Sequence, residues 1–271
     1  MSTEHKWFRV NKHHPCSVCG RCDWDTYCPE LGLACCMRVV SDRPARNGGY
    51  LFPLGDTTML RPLPAKPERP VVIDAAAIMT ALTGGTWPEM VEQFAASLGV
   101  TVRSLDLLGV AWSPGHKAWA VPMRDWQGKT IGIRLRLLDG SKRAVKGSHN
   151  GLFYAEGSAT TVFVAEGESD AAAGLSIGLE CIGRAGCMGG EVTVDRLLRR
   201  KGARRAVIVA DADDPGQRGA EKLQSALSVP SVIYYPPIKD LRASVQAGLT
   251  ADMIESATSS MVWTQPKGLT T

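Results

Sequence analysis

Short apolar runs that end in acidic residues recur through the second half of the chain. Thr160 to Ala165 is an apolar run leading into Glu166-Gly167-Glu168-Ser169-Asp170, and Arg205 to Ala210 leads into Asp211-Ala212-Asp213-Asp214. Each run has strand length, and an Ala-rich or amphipathic stretch follows it. From Gly157 the pattern predicts strand 160–165, helix 169–177, strand 180–183, helix 191–200, strand 205–210, helix 216–227 and strand 231–235. Apolar strands alternating with helices predict a mostly parallel sheet covered on both faces. Upstream, Met90, Val91, Phe94, Ala95 and Leu98 recur at helical spacing and Gly99 can end that helix. Ala118 to Met123 and Thr130 to Leu137 read as two strands of a hairpin, with Gly128 free to take positive φ in the turn.

Ahead of this α/β region, residues 1–60 are rich in Cys, Gly and turn formers and show little periodicity. Residues 61–70 hold four prolines in ten positions, the composition of a semi-rigid extended linker. The expected organisation is a small module over 1–60, a linker over 61–70, an α+β subdomain over 71–157, an α/β domain over 158–256 and a frayed tail over 257–271.

Hydrophobic residues make up 44% and charged residues 21% of the 271 positions, the balance of a globular protein. The longest apolar runs are too short to span a bilayer, and no apolar signal core follows the first residues. No membrane association is expected, and the expected location is the cytoplasm. There cysteines serve better as metal ligands than in disulfides. The net charge of +4 permits a nucleic-acid partner without requiring one.

Six of the eight cysteines fall between Cys16 and Cys36. Cys16-Ser17-Val18-Cys19-Gly20 is a zinc knuckle, in which two thiolates reach one ion across a tight turn and the glycine takes positive φ. A structural site needs four ligands, so two more come from Cys22, Cys28, Cys35 and Cys36. Cys28 and Cys36 are chosen, since Cys22 lies too near Cys19 for a second knuckle; Cys22 or Cys35 is the runner-up. His13 and His14 are read as exposed residues before the knuckle. One Zn²⁺ held by Cys16, Cys19, Cys28 and Cys36 is expected to supply much of the folding energy of so small a module.

At the carboxyl ends of parallel strands, side chains line the ligand crevice. Two strands thus deliver Glu166, then Asp211 and Asp213, to one edge. Period-two alternation puts Asp211 and Asp213 on one side if the chain stays extended. Converging carboxylates repel one another unless cations lie between them, and hard oxygen donors suit Mg²⁺ or Mn²⁺. The plainer alternative is that these residues are helix caps.

Glu166-Gly167-x-x-Asp170, followed by Asp211-x-Asp213 with Gly216 close behind, resembles the TOPRIM domain shared by bacterial and phage primases, topoisomerases and related nucleases. Ile238-Lys239-Asp240 resembles its last acidic element, with Arg242 standing where those primases carry a further acid. Trp119 to Asp125, then Gly128, then Ile131-Gly132-Ile133-Arg134, is similar to the subdomain that precedes TOPRIM in DnaG-type and phage primases. The Cys-rich module in front, ending in Cys-Met-Arg, is similar to the zinc ribbon of those primases and completes the same order of parts, and the resemblance spans residues 13 to about 250.

The resemblance implies a DNA primase making short RNA primers on single-stranded DNA from ribonucleoside triphosphates. Divalent metals would be held by Glu166, Asp211 and Asp213, helped by Asp170 and Asp240, with Glu166 either a ligand or the general base. Arg134, Arg136, Lys142, Arg143 and Lys146 put five cations in thirteen residues, and only Asp139 offsets them. They read either as a ridge for template and nucleotide phosphates or as a solvated hairpin edge. Trp24 is the tryptophan singled out for base stacking; Trp112, Trp119 and Trp126 are expected mostly to pack. Lacking a Gly-x-x-x-x-Gly-Lys-Ser/Thr motif, the chain would rely on a separate replicative helicase. The rival readings are a metal-dependent TOPRIM nuclease and a non-catalytic DNA-binding replication protein.

Overall fold

The structure, a computed structural model, describes residues 5–54, 71–186 and 189–266. The chain divides into two compact units, Met1–Pro70 and Val71–Thr271. The predicted linker 61–70 lies outside the described residues.

The first unit is a four-stranded antiparallel sheet in chain order: β1 (Phe8–Arg9), β2 (Thr26–Cys28), β3 (Leu33–Cys36) and β4 (Tyr50–Pro53). Its apolar centre is small: Val10, Cys16, Cys36 and Phe52, with Tyr27 and Tyr50 packed against them. A core of that size stabilises little at roughly 1.5–3 kcal/mol per large side chain.

The second unit contains α1 (Ala75–Gly84), α2 (Pro88–Leu98), α3 (Val102–Leu108), β5 (Ala111–Ser113), β6 (Ala118–Arg124), β7 (Thr130–Leu137), β8 (Lys142–Ala144) and β9 (Leu152–Phe153). There follow β10 (Thr161–Glu166), α4 (Gly167–Ser176), β11 (Cys181–Arg184), α5 (Glu191–Arg200), β12 (Arg205–Val209), α6 (Asp214–Ala226), β13 (Ser231–Tyr234), α7 (Leu241–Gln246) and α8 (Ala251–Ser259). All nine strands form one sheet in the order β13-β12-β10-β11-β9-β6-β7-β8, with β5 added on β6. The four strands β13, β12, β10 and β11 pair in parallel, as the alternation with helices requires. From β9 outward the pairing is antiparallel. The two regions read from the sequence as separate, 71–157 and 158–256, therefore share a continuous sheet through the two residues of β9.

Period-two alternation in the parallel strands sorts the core onto two faces. Val162, Val164, Ala206 and Ile208 face α5 and α6, packing with Val194, Leu197, Ala220 and Leu223. Phe163, Ala165, Val207 and Val209 face the other side, against Leu241 and Ile254 of α7 and α8 and Leu175 of α4. In the antiparallel half, Trp119, Val121 and Met123 meet α2 and α3, while Ala118, Ala120, Ile133 and Leu135 meet Ala75 and Met79 of α1.

Of the expected tail 257–271, residues 257–266 are described: α8 continues to Ser259, Trp263 packs on the sheet core and Thr264 bridges Ser231. Within the described residues, no helix is long and apolar enough to cross a membrane.

Candidate metal and nucleotide sites

In the first unit the knuckle forms as its spacing requires. Gly20 N donates to Cys16 O at 2.9 Å, and Gly20 sits at φ 71°, which an L side chain rarely adopts. The turn brings Cys16 and Cys19 beside Cys36 at the end of β3. The fourth group is Asp25, fully buried, rather than a cysteine. Among the described residues, Cys16, Cys19, Asp25 and Cys36 are the set whose ligand atoms all lie within 4.8 Å of one another. Asp25 Oδ2 is 3.0 Å from Cys19 Sγ and 3.8 Å from Cys36 Sγ. Ligands on a zinc tetrahedron with bonds of about 2.0–2.3 Å stand at comparable separations. Oδ1 accepts from Met37 N at 2.8 Å, which fixes the carboxylate.

The donor set suits a soft cation. Burial pushes the Cys16 and Cys19 thiols up, a penalty that metal coordination reverses. Burial also resists ionisation of Asp25, but hydrogen bonds from Cys19 and Met37 outweigh it and hold the carboxyl below its ordinary value. Cys28 lies outside this group, buried in β2 opposite Leu33. Cys35 faces Asn47, at 3.5 Å from its Oδ1, and Cys22 is exposed. His14 stacks on Tyr27 and takes no part. Asp25 could have been found by counting the Asp residues between the cysteines along with the cysteines themselves.

In the second unit, α4 leaves the carboxyl end of β10 toward the Phe163 face, and α6 follows β12 on the opposite face. Between those strands a crevice opens, the place where open α/β sheets bind ligands. Gly183 on the neighbouring β11 has no room for a Cβ, which would strike Gly167 O, so α4 can start close against the sheet. The cleft has a volume of about 320 Å³. Glu166, Glu168, Asp170, Asp211 and Asp240 line it, together with Arg134, Arg136, Lys142, Lys239 and Arg242.

Three of these carboxylates, Glu166, Asp170 and Asp211, resist ionisation. Burial, then Asp240 and Asp211, push Asp170 up to about 7, although Arg242 N donates to its Oδ1 at 2.9 Å. Burial, then Glu166 and Asp240, push Asp211 up to about 6. Burial also raises Glu166, whose nearest cation is Arg184 at 3.8 Å. Its Oε1 is buried and accepts no hydrogen bond from the described residues. An unsatisfied oxygen acceptor and mutually repelling carboxyls are what a hard divalent cation relieves. These oxygens do not close into a cage of their own, since the cysteine group is the one tight set among the described residues. Mg²⁺ commonly takes one or two carboxylates and completes its shell with water and phosphate oxygens, so the residues fit it.

The remaining sequence candidates divide. Asp213 and Asp240 both act as helix caps, accepting from Gly216 N at 2.8 Å and Ala243 N at 2.7 Å. Asp213 lies outside the cleft lining yet near enough to raise Glu166. Arg136 and Lys142 point into the cleft from adjacent strands. Arg134 lines it too, and its Nη2 donates to Ala185 O at 2.8 Å. Arg143 alternates to the other face, opposite Leu135, and Lys146 lies outside the lining. Trp24 is 76% exposed, whereas Trp119 is buried and Trp126 packs against the core.

Glu168 was not singled out in sequence reading, although it stands inside the quoted motif. Burial would raise it, but Lys142 and Arg136 more than compensate and hold it below its ordinary value. Lys239 and Arg184 were likewise passed over; each is adjacent to a recognised acid in sequence or across strands.

No family model matches the sequence, and no curated protein matches it. Several solved structures do resemble the fold. A DnaG primase catalytic domain bound to ssDNA aligns over 70% of this chain and 79% of its own, at 12% identity and a TM-score of 0.55. The zinc-binding and RNA polymerase domains of the Aquifex aeolicus primase align over 69% of this chain and 61% of theirs, at 14% identity and a TM-score of 0.56. The primase fragment of the bacteriophage T7 primase-helicase protein aligns over 95% of this chain and all of its own, at 14% identity and a TM-score of 0.51. The fold of this chain is that of the DnaG-type and phage primase cores.

Proposed function

We propose that the chain is a DNA primase, joining ribonucleotides into short primers on a single-stranded DNA template with the help of Mg²⁺ or Mn²⁺. The observation that carries this reading is the carboxylate cleft of Glu166, Asp170, Asp211 and Asp240, faced by Arg136 and Lys142, within a primase-like fold. A divalent cation bound there would neutralise charge on the phosphates of the incoming nucleotide. Arg136, Lys142 and Lys239 bind and orient those phosphates. Glu166 and Asp211, at the ends of adjacent strands, supply the carboxylate oxygens. Arg184, 3.8 Å from Glu166, places a positive charge beside that carboxylate.

Cys16, Cys19, Asp25 and Cys36 hold one structural zinc in this reading, and the ribbon contacts the template. A replicative helicase is the partner that would open the duplex.

The reading is tested by incubating the protein with single-stranded DNA, labelled ribonucleoside triphosphates and Mg²⁺ or Mn²⁺. Short labelled products support it. Template cleavage without products would favour a nuclease instead, and neither outcome would leave a binding protein.

A further inference from the structure

A second cavity, of about 650 Å³, adjoins the carboxylate cleft, and Arg136 and Arg242 line both. One wall is α2, through Met90, Gln93, Phe94 and Ser97; the other is the turn after β7, through Leu138 and Asp139. Its base is aromatic. Phe94 and Trp119 stack at 4.3 Å between ring centroids, and Trp112 meets Trp119 edge-on at 5.4 Å.

Strand register connects the two cavities. Trp112 on β5 pairs with Trp119 on β6, Trp119 with Arg136 on β7, and Arg136 with Lys142 on β8. Directly paired residues share a sheet face, so these four form one row across four strands. The row runs from two aromatic rings to two cations, and both cations end at Glu168 in the carboxylate cleft.

We infer that this row is a nucleotide seat, with the base of a nucleoside triphosphate in the aromatic cavity and its phosphates at the cationic end. The volume falls within the range of small-ligand sites, roughly 300–1,000 Å³. Leu138, 76% exposed at the rim, gains cover when the cavity fills. The charge distribution selects a mononucleotide over a strand. Positive charge is confined to the end shared with the cleft, while α2 carries Glu89 and Glu92 and no Lys or Arg. A strand continuing past the base would set further phosphates against those acids. Gln93, Ser97 and Asp139 offer hydrogen-bonding groups to a base edge.

The inference rests on the function proposed above, and one titration separates the two. Calorimetry with Mg²⁺ compares ATP with inorganic tripolyphosphate on the full chain. ATP is expected to bind tighter by at least about tenfold, the increment of a base held against aromatic rings. Ser97→Phe, on the exposed side of α2, should fill the cavity and bring ATP down to the affinity of tripolyphosphate. Gln93→Trp on the same wall should do the same, and the wild-type comparison stands even if neither variant folds. Equal affinity for the two ligands in the wild type overturns the base seat while leaving the phosphate site in place. An ATP preference that survives both folded variants overturns its location. If those variants instead lose single-stranded oligonucleotide binding and keep the ATP preference, the cavity belongs to template. Binding of neither ligand overturns the primase reading and this inference with it.

Discussion

Lys142 Nζ on β8 stands 3.0 Å from Oε1 of Glu168, in the first turn of α4, and Arg136 Nη1 reaches the same oxygen at 3.1 Å. One carboxylate thus ties the basic hairpin of the antiparallel half to the helix that follows the first acidic strand. Glu168 is 6% exposed at its side chain, so its removal leaves two cations in a desolvated place. Glu168→Ala is expected to cost about 2 kcal/mol in urea unfolding, less than a fully buried pair because Lys142 is a third exposed. Glu168→Gln retains an acceptor and should lose less. An unchanged midpoint in both variants would mean the contact does not brace the cleft.

The two halves of the shared sheet are also held by Lys201, 1% exposed at its side chain. Its Nζ donates to Ala155 O at 2.7 Å, to Gly157 O at 3.1 Å and to Glu180 at 2.5 Å, at the crossing from β9 to β10. Lys201→Met would strand three acceptors, one of them charged. A loss of about 3 kcal/mol in unfolding free energy is expected. A loss below about 1 kcal/mol would show that water takes over these partners.

The ribbon yields a test by metal content. Asp25 rather than Cys28 joins Cys16, Cys19 and Cys36 in the tight group, so Cys28→Ser should keep about one zinc per chain while Cys16→Ser loses it. Asp25→Ala should weaken zinc retention against a chelator by an order of magnitude or more. Retention by Asp25→Ala together with loss by Cys28→Ser would reverse the assignment.

Of the raised carboxyls, Asp170 is pushed furthest, so it gives the clearest pH test. The unfolded chain ionises it near its ordinary value of 3.8, whereas in the folded protein burial and its acidic neighbours put it at about 7. The folded state therefore holds the extra proton, and the stability this confers below about pH 4 is lost as pH rises through 7. Asp170→Asn cannot ionise and still offers an oxygen to Arg242 N. Metal-free, it should be more stable than the wild type at pH 8 and no more stable at pH 4 by urea denaturation. Equal gains at both values would trace the effect to packing instead.

The strands that carry Glu166 and Asp211 were legible because a parallel strand buried on both faces is a continuous apolar run, and both runs stop at an acid. The single sheet was not legible, since β9 joins the halves with only Leu152 and Phe153, too short to show a period. Nor was the partition of the basic stretch. Arg136 and Lys142 share a face with Trp119, and Arg143 does not, only because of pairing between strands that the sequence does not state. The expectation that Asp211 and Asp213 lie on one side assumed an extended chain. The chain turns after Asp211, and Asp213 becomes the cap of α6. The fourth member of the cysteine group, Asp25, was not legible because the spacing of the thiols says nothing of a carboxylate folded in among them.

The most direct test is primer synthesis by the wild type beside Glu166→Gln and Asp211→Asn, each checked for an unchanged thermal midpoint. Short ribonucleotide products that depend on single-stranded template and Mg²⁺ or Mn²⁺, and that vanish in both folded variants, are the predicted result. Products that persist at wild-type level in both variants, or none from the wild type under any of these conditions, would contradict the account.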